Sequence, residues 1–348
     1  MKTYVKHRNE HNILKTRQIL EEIPDYCSLF INGIEVKTTA YTRLQYAQYL
    51  KTFFVFLTQN NVIYKNYRLR DIPITVLDSL KPCDIDEYLH WLGLYKIDDT
   101  TYQNGENGKA AKLSALSAFY QYLAKHEIIE KNPVSLVNRP KLHTKNIITL
   151  SPNEVAIFLD KIEAGEGLSS KQAKWHEQTV ERDVAIATLL LGTGIRVSEL
   201  VGLDLTDVDF ENNCISIIRK GGNEDIVYFS DEVAESLFYY LETGRPRLRQ
   251  YDNENSLFLS IRGTRLAVRS VQAMIKKYAL KYVPGKHITA HKLRSTYGTQ
   301  LYEETGDIYL VANTLDHKDI NTSARHYVKQ SESKKRYAGS VISLRERV

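Results

Sequence analysis

At 348 residues, with 43% hydrophobic and 26% charged residues, the chain is globular in composition and long enough for two domains. The net charge of +5 mildly favours a polyanionic partner, and the excess sits in residues 1–147, where 20 Lys+Arg face 15 Asp+Glu; the remainder balances at 27 and 27. No run approaches the ~18 apolar residues of a membrane span, the opening MKTYVKHRNE lacks a signal peptide's apolar core, and Cys27, Cys83 and Cys214 show neither metal-ligand nor disulfide spacing, so inert thiols in a reducing cytoplasm are expected.

The amino-terminal part reads as helices. In TTAYTRLQYAQYLKTFFVFLTQN, Tyr41, Leu44, Ala47, Leu50, Phe54 and Leu57 recur every three or four residues and draw one apolar stripe. In CDIDEYLHWLGLY, Asp84 offers an N-cap before an apolar run. A third helix is predicted in GKAAKLSALSAFYQYLAKHEII, with Leu113, Leu116, Tyr120 and Leu123 on one face, and strand patterns are nearly absent before residue 140. Pro133, Pro140 and several basic residues then interrupt any helix, so residues 1–137 read as one domain, 138–148 as an extended linker and 149–348 as a second domain. SPNEV, just after the linker, reads as a cap and first helical turn.

The second domain reads as mainly helical with a small sheet. ERDVAIATLLLGTGIRVSELVGL suggests a buried helix, a turn loosened by Gly192 and Gly194, and a second helix starting near Arg196 or Val197. NNCISIIRKGGNEDIVYFS alternates around a Lys-Gly-Gly-Asn turn and predicts a β-hairpin, and the chain after Ser270 reads mainly as helix.

Four places stand out chemically. Arg196 at a helix start can present a planar fork to a phosphate, although alone it reads as a surface ion pair with Glu199 at i+3. His291 and Arg294 share a helix face and can both donate to one phosphate, or simply be two solvated charges. Lys220, at the hairpin tip, can protonate a leaving oxygen, though most turn lysines are only solvated. In TLDHKDINTSARHYVK, His317 and Tyr327 supply a further donor and a hydroxyl that ionises only near pH ~10 and needs help to attack. Together they describe tyrosine attack on a phosphodiester, with cationic side chains balancing the charge on phosphorus and a lysine discharging the leaving oxygen. No Asp/Glu cluster stands at two-metal nuclease spacing, so neither a metal nor another cofactor is expected.

Those residues, in the order GTGIRVSEL, IIRKGGN, HKLR, LDHKDINTS and a following tyrosine, resemble the active-site set of the tyrosine recombinases, or phage integrase family. The similarity runs over nearly the whole chain and is most like the Xer-type recombinases; KLSALSAFYQYLAKHEIIEKNPVSLVNRPKL resembles the last helix and exit linker of the family's core-binding domain. The resemblance implies a helical SAM-like core-binding domain joined to a mixed α/β catalytic domain that ends in a tail helix, the two clamping duplex DNA. It implies that Arg196 and Arg294 hold the scissile phosphate, that His291 and His317 complete its shell, that Lys220 is the general acid and that Glu199 supports from behind. Tyr327 would form a 3′-phosphotyrosyl bond, with Tyr337 a weaker candidate and Tyr297, Tyr302 and Tyr309 packing residues.

Two departures accompany the resemblance. Asp316 stands where the family often has glycine, and Tyr327 follows His317 by ten residues, where nine is usual and His326 occupies that place. The implied activity is cofactor-free, site-specific strand exchange between paired half-sites of double-stranded DNA by a homotetramer, as in chromosome dimer resolution. Integration or excision of a mobile element, relaxation of the type IB topoisomerase kind, and non-cleaving architectural binding are the alternatives. An accessory protein such as a DNA translocase or excisionase, and a carboxy-terminal tail docked on a neighbouring subunit, belong to the same expectation.

Overall fold

The computed structural model describes residues 3–60, 64–65, 67–141, 147–219, 221–251, 254–317, 319–320 and 327. The chain divides into two compact units, Met1–Lys145 and Asn146–Val348. Residues 142–146 of the expected linker lie outside the described residues, as does the tail from 328 on.

The first unit is helical: α1 (Thr3–Leu20), α2 (Tyr26–Gly33), α3 (Ala40–Asn60), α4 (Thr75–Ser79), α5 (Pro82–Trp91) and α6 (Glu106–Lys125). Its α3 is not a one-stripe helix, because Phe53, Val55 and Phe56 are buried along with Leu50, Phe54 and Leu57, while Tyr41 is 59% exposed. The run is apolar almost all round because α1, α2, α5 and α6 all pack against it. In α6 the expected face is the core face: Leu113, Leu116, Tyr120 and Leu123 are all buried, each worth ~1.5–3 kcal/mol. Asp84 is not the N-cap of α5. The helix starts at Pro82, a residue suited to the first turn, and Asp84 reaches back to accept from the Lys81 N–H at 2.7 Å. A short hairpin of β1 (Tyr95–Ile97) and β2 (Thr100–Tyr102), absent from the sequence pattern, follows α5.

The second unit opens with α7 (Pro152–Ala164), where Ser151 caps and Glu154 returns a bond to the Ser151 N–H at 2.7 Å. Helix α8 (Ser170–Thr193) is the centre of this unit and packs against α7, α10 (Asp231–Tyr239) and α13 (Ala290–Thr305). Between α8 and α10 lie the short α9 (Val197–Leu200) and a three-stranded antiparallel sheet, β3 (Val208–Asp209), β4 (Cys214–Ile218) and β5 (Glu224–Tyr228), in the order β3-β4-β5. Ile215 and Ile217 of β4 face the core, as its alternation requires. A π turn over Tyr240–Gly244, α11 (Arg245–Leu248), α12 (Val268–Tyr282), α13 and α14 (Ile308–Thr314) complete the described part. Inside, Asp183 accepts from Arg182, Thr179 and the Tyr278 hydroxyl, so a buried carboxylate between α8 and α12 is compensated. No helix among the described residues is long and apolar enough to cross a membrane.

Candidate active site

The site begins where α8 stops. Residues 185–191 are buried around the whole helix, and the chain then turns at Gly194 in the left-handed region, φ 64°. A Cβ at that glycine would lie 2.5 Å from Tyr297 Cδ1 and 2.8 Å from Leu315 Cδ2, so conformation and space both require glycine. Arg196 follows in extended conformation as the N-cap of α9. Buried Glu199 accepts its backbone N–H at 2.7 Å and its Nη1 at 2.8 Å. The expected i,i+3 ion pair is therefore present, but as the buried side of a larger cluster. On the open side Arg196 Nη1 donates to Asp316 Oδ2 at 3.0 Å and Nη2 to the Asp316 carbonyl at 3.1 Å. Burial opposes the charge on Arg196, but Glu199 and Asp316 outweigh it and hold the guanidinium above its ordinary pKa.

Helix α13 brings the second arginine. Thr289 caps it, and Arg294, 3% exposed, donates Nη1 to the Gly194 carbonyl at 2.6 Å and Nη2 to the Leu315 carbonyl. Burial, with Arg196 and Arg219 nearby, pushes Arg294 down to about 10, so it remains a cation at neutral pH. His291 sits one turn earlier on the exposed side of α13.

The end of α14 is where the elements meet. The carbonyls of Thr314, Leu315 and Asp316 each accept from a different arginine: Arg219, Arg294 and Arg196. A helix carboxyl end carries partial negative charge, so three cations there are a complementary arrangement. Asp316 N–H bonds to the Asn313 carbonyl at 3.0 Å and His317 N–H to the Ala312 carbonyl at 2.9 Å, the paired bonds of a Schellman stop. Asp316 takes the left-handed position of that motif, φ 47°. The turn that glycine usually makes is thus kept with aspartate in place, and the strain of ~1 kcal/mol is offset by the carboxylate's bond to Arg196.

Tyr327 is 6% exposed and packs with Val311 and Leu315, with Tyr297, Leu301 and Tyr302 at the margin. Its ring stacks on His317 at 6.3 Å and 5°. The ten-residue spacing therefore does not keep ring and imidazole apart. Room for the phenol comes from Gly298 in α13, where a Cβ would fall 2.7 Å from Tyr327 Cζ and 2.8 Å from its oxygen. Burial raises the Tyr327 pKa while Arg294 pulls it back, so the hydroxyl keeps its proton in this state.

Six of the sequence-derived positions, Arg196, Glu199, Arg294, Asp316, His317 and Tyr327, are thus gathered by α9, α13 and the end of α14. Lys220, His326 and Tyr337 lie outside the described residues; Arg219 and Gly221 flank the lysine in the β4–β5 turn. Tyr297 and Tyr302 pack as expected, but Tyr309 does not: at the first turn of α14 it is 63% exposed. Sequence reasoning missed Arg219 and Gly298. The only signal for Gly298 was a glycine inside a helical pattern four residues after Arg294.

Comparison with known proteins identifies the family. The phage integrase family profile matches residues 150–334. The tyrosine recombinase XerD of Staphylococcus saprophyticus is 33% identical over 67% of this chain and 77% of its own length. The tyrosine recombinase XerC of Caldanaerobacter subterraneus is 30% identical over 89% of this chain and 82% of its own. Among solved structures, the XerH recombinase in a post-cleavage complex with palindromic difH substrate superposes with a TM-score of 0.64 at 21% identity, covering 87% of this chain and 80% of that one. The Tn1549 transposon integrase with transposon right end DNA gives 0.62 at 21% identity, covering 90% and 98%. At these identities the two structures speak for the fold.

Proposed function

The chain belongs to the phage integrase family and is a tyrosine site-specific recombinase, and from that premise we propose that Tyr327 is its nucleophile and double-stranded DNA its substrate. The observation that carries the assignment is the convergence of Arg196, Arg294 and His317 on the end of α14 with the Tyr327 ring stacked against that histidine. The Tyr327 oxygen attacks phosphorus, giving up its hydroxyl proton to solvent as the Oη–P bond forms and the P–O5′ bond breaks, and leaves a 3′-phosphotyrosyl adduct. Arg196 and Arg294, with His291 and His317, donate to the non-bridging oxygens, and Lys220 gives its proton to the departing 5′-oxygen. Glu199 acts from behind by fixing the Arg196 fork. A 5′-hydroxyl of the partner strand reverses the step, and because the phosphotyrosine keeps the bond energy, no nucleotide cofactor is consumed.

Similarity to XerC and XerD relatives supports the Xer-type reading, under which we propose chromosome dimer resolution by a homotetramer in the cytoplasm. The similarity in fold to a transposon integrase keeps integration or excision of a mobile element as the second reading. A nicked duplex that loses its 5′-hydroxyl fragment after cleavage tests the chemistry. Wild type and Tyr337→Phe become covalently joined to it and Tyr327→Phe does not; an adduct surviving in Tyr327→Phe refutes the nucleophile. Mapping bound DNA across the genome separates the two roles, a single chromosomal site meaning dimer resolution and element ends meaning integration.

A further inference from the structure

We propose that Arg219 is a positioning residue for strand cleavage: it leaves the phosphate to others and ties the β4–β5 hairpin, α9 and the end of α14 into one rigid site. This rests on the assignment of Arg196 and Tyr327 above. The Arg219 side chain is 5% exposed, and its guanidinium spends a different nitrogen on each element. Nε donates to Asp225 Oδ2 of β5 at 2.8 Å, Nη1 to Glu199 Oε2 of α9 at 3.3 Å, and Nη2 to the Thr314 carbonyl at the end of α14 at 3.0 Å. Its backbone closes the hairpin as well, the N–H donating to the Asn223 carbonyl at 2.8 Å and the carbonyl accepting from Gly222 at 3.1 Å.

Three consequences follow for the reacting groups. The same Glu199 carboxylate orients Arg196, so Arg219 fixes the fork through that carboxylate. The Thr314 carbonyl lies three residues before His317, so the chain leading into that imidazole is anchored by the same group. Position 220 follows directly in sequence, so the base of the turn that carries the lysine is set by a buried residue. Arg219 also balances charge. With Arg196 and Arg294 it makes three cations against Glu199, Asp225 and Asp316, and its loss leaves Glu199, 4% exposed, with Arg196 as its one remaining arginine ion pair among the described residues. A planar fork reaches three elements at once; the single ammonium of a lysine does not.

The full-length Arg219→Lys variant and, because a buried arginine is costly to lose, Asp225→Asn, which opens only the hairpin arm, are compared on nicked duplexes. One duplex carries an ordinary scissile phosphodiester, the other a methylphosphonate, whose phosphorus centre carries one negative charge fewer for the arginines to balance. Both variants are expected to bind duplex within about threefold of wild type and to cleave the phosphodiester more slowly, by about 30- to 100-fold for Arg219→Lys and about fivefold for Asp225→Asn. On the methylphosphonate the Arg219→Lys deficit is expected to shrink about tenfold, since positioning of the cationic fork matters less there. Equal deficits on both substrates overturn the proposal, because a general loss of fold does not sense the charge on phosphorus. So does wild-type cleavage by both variants. Failure of wild type itself to form a Tyr327-dependent adduct would instead remove the site assignment on which the proposal stands, and the two failures are read in separate lanes.

Discussion

Replacing Gly298 by alanine adds one methyl group directly behind Tyr327, the proposed nucleophile. The new Cβ would lie 2.7 Å from Tyr327 Cζ, 2.8 Å from its oxygen and 2.7 Å from Leu315 Cδ1. Ordinary contact begins at 3.4 Å, so the phenol must retreat by about 0.7 Å. Alanine inside α13 returns ~1 kcal/mol of helix propensity, and crowding buried Leu315 and Tyr327 costs ~1–3 kcal/mol. The net loss of at most ~2 kcal/mol leaves a protein of ordinary stability, ~5–15 kcal/mol, folded. Chemistry is less tolerant, since a displacement of ~1 Å costs about 100-fold in a reaction that depends on alignment. Gly298→Ala is therefore expected to bind duplex within about twofold of wild type and to form the covalent adduct about 10- to 100-fold more slowly, a barrier increase of ~1.4–2.7 kcal/mol. Single-turnover adduct formation on the nicked duplex, beside a urea melt, measures both. Cleavage at the wild-type rate would show that the Tyr327 position against α13 is not the one that governs attack.

Asp316→Gly removes a left-handed non-glycine residue and a half-exposed ion pair together, so its unfolding free energy is expected within ~1 kcal/mol of wild type by urea titration. With the carboxylate gone from the open side of Arg196, affinity for duplex is expected to rise about fivefold by gel shift, and weaker binding would contradict Arg196 as a phosphate ligand. The pH profile of adduct formation is expected to be flat between about pH 7 and about pH 9, because the Tyr327 hydroxyl, held above its usual pKa by burial, loses its proton only as it attacks, and Arg294, pushed down to about 10, is still charged. A tenfold rise per pH unit in that window, read from rapid-quench rates, would mean that Tyr327 ionises before it attacks.

Much of the architecture was already legible as periodicity. Leu113, Leu116, Tyr120 and Leu123 lie on the face of α6 that is buried, the Ser151 cap starts α7, and the alternation around Lys-Gly-Gly-Asn is a hairpin. These are local patterns, decided by residues a few positions apart. Where the reading failed, one cause was local and one was packing. Asp84 moved from N-cap to third helical residue because Pro82 took the first turn, while α3 buries more than one stripe because neighbouring helices also cover Phe53, Val55 and Phe56, and Tyr41 in its first turn stays exposed.

For the site, the residue types and their order were enough, through their resemblance to the tyrosine recombinases, to name the enzyme class. Only the tertiary structure decided which side chains meet. Arg196 finds Asp316 across 120 positions, Arg294 finds Gly194 across 100, and Arg219 finds Thr314 across 95. Sequence alone determined that this chain folds as helices with a small sheet and resembles the tyrosine recombinases. It could not disclose that Arg219 ties three elements together or that Gly298 makes room for the phenol, since both depend on distances between segments that are neighbours only after folding.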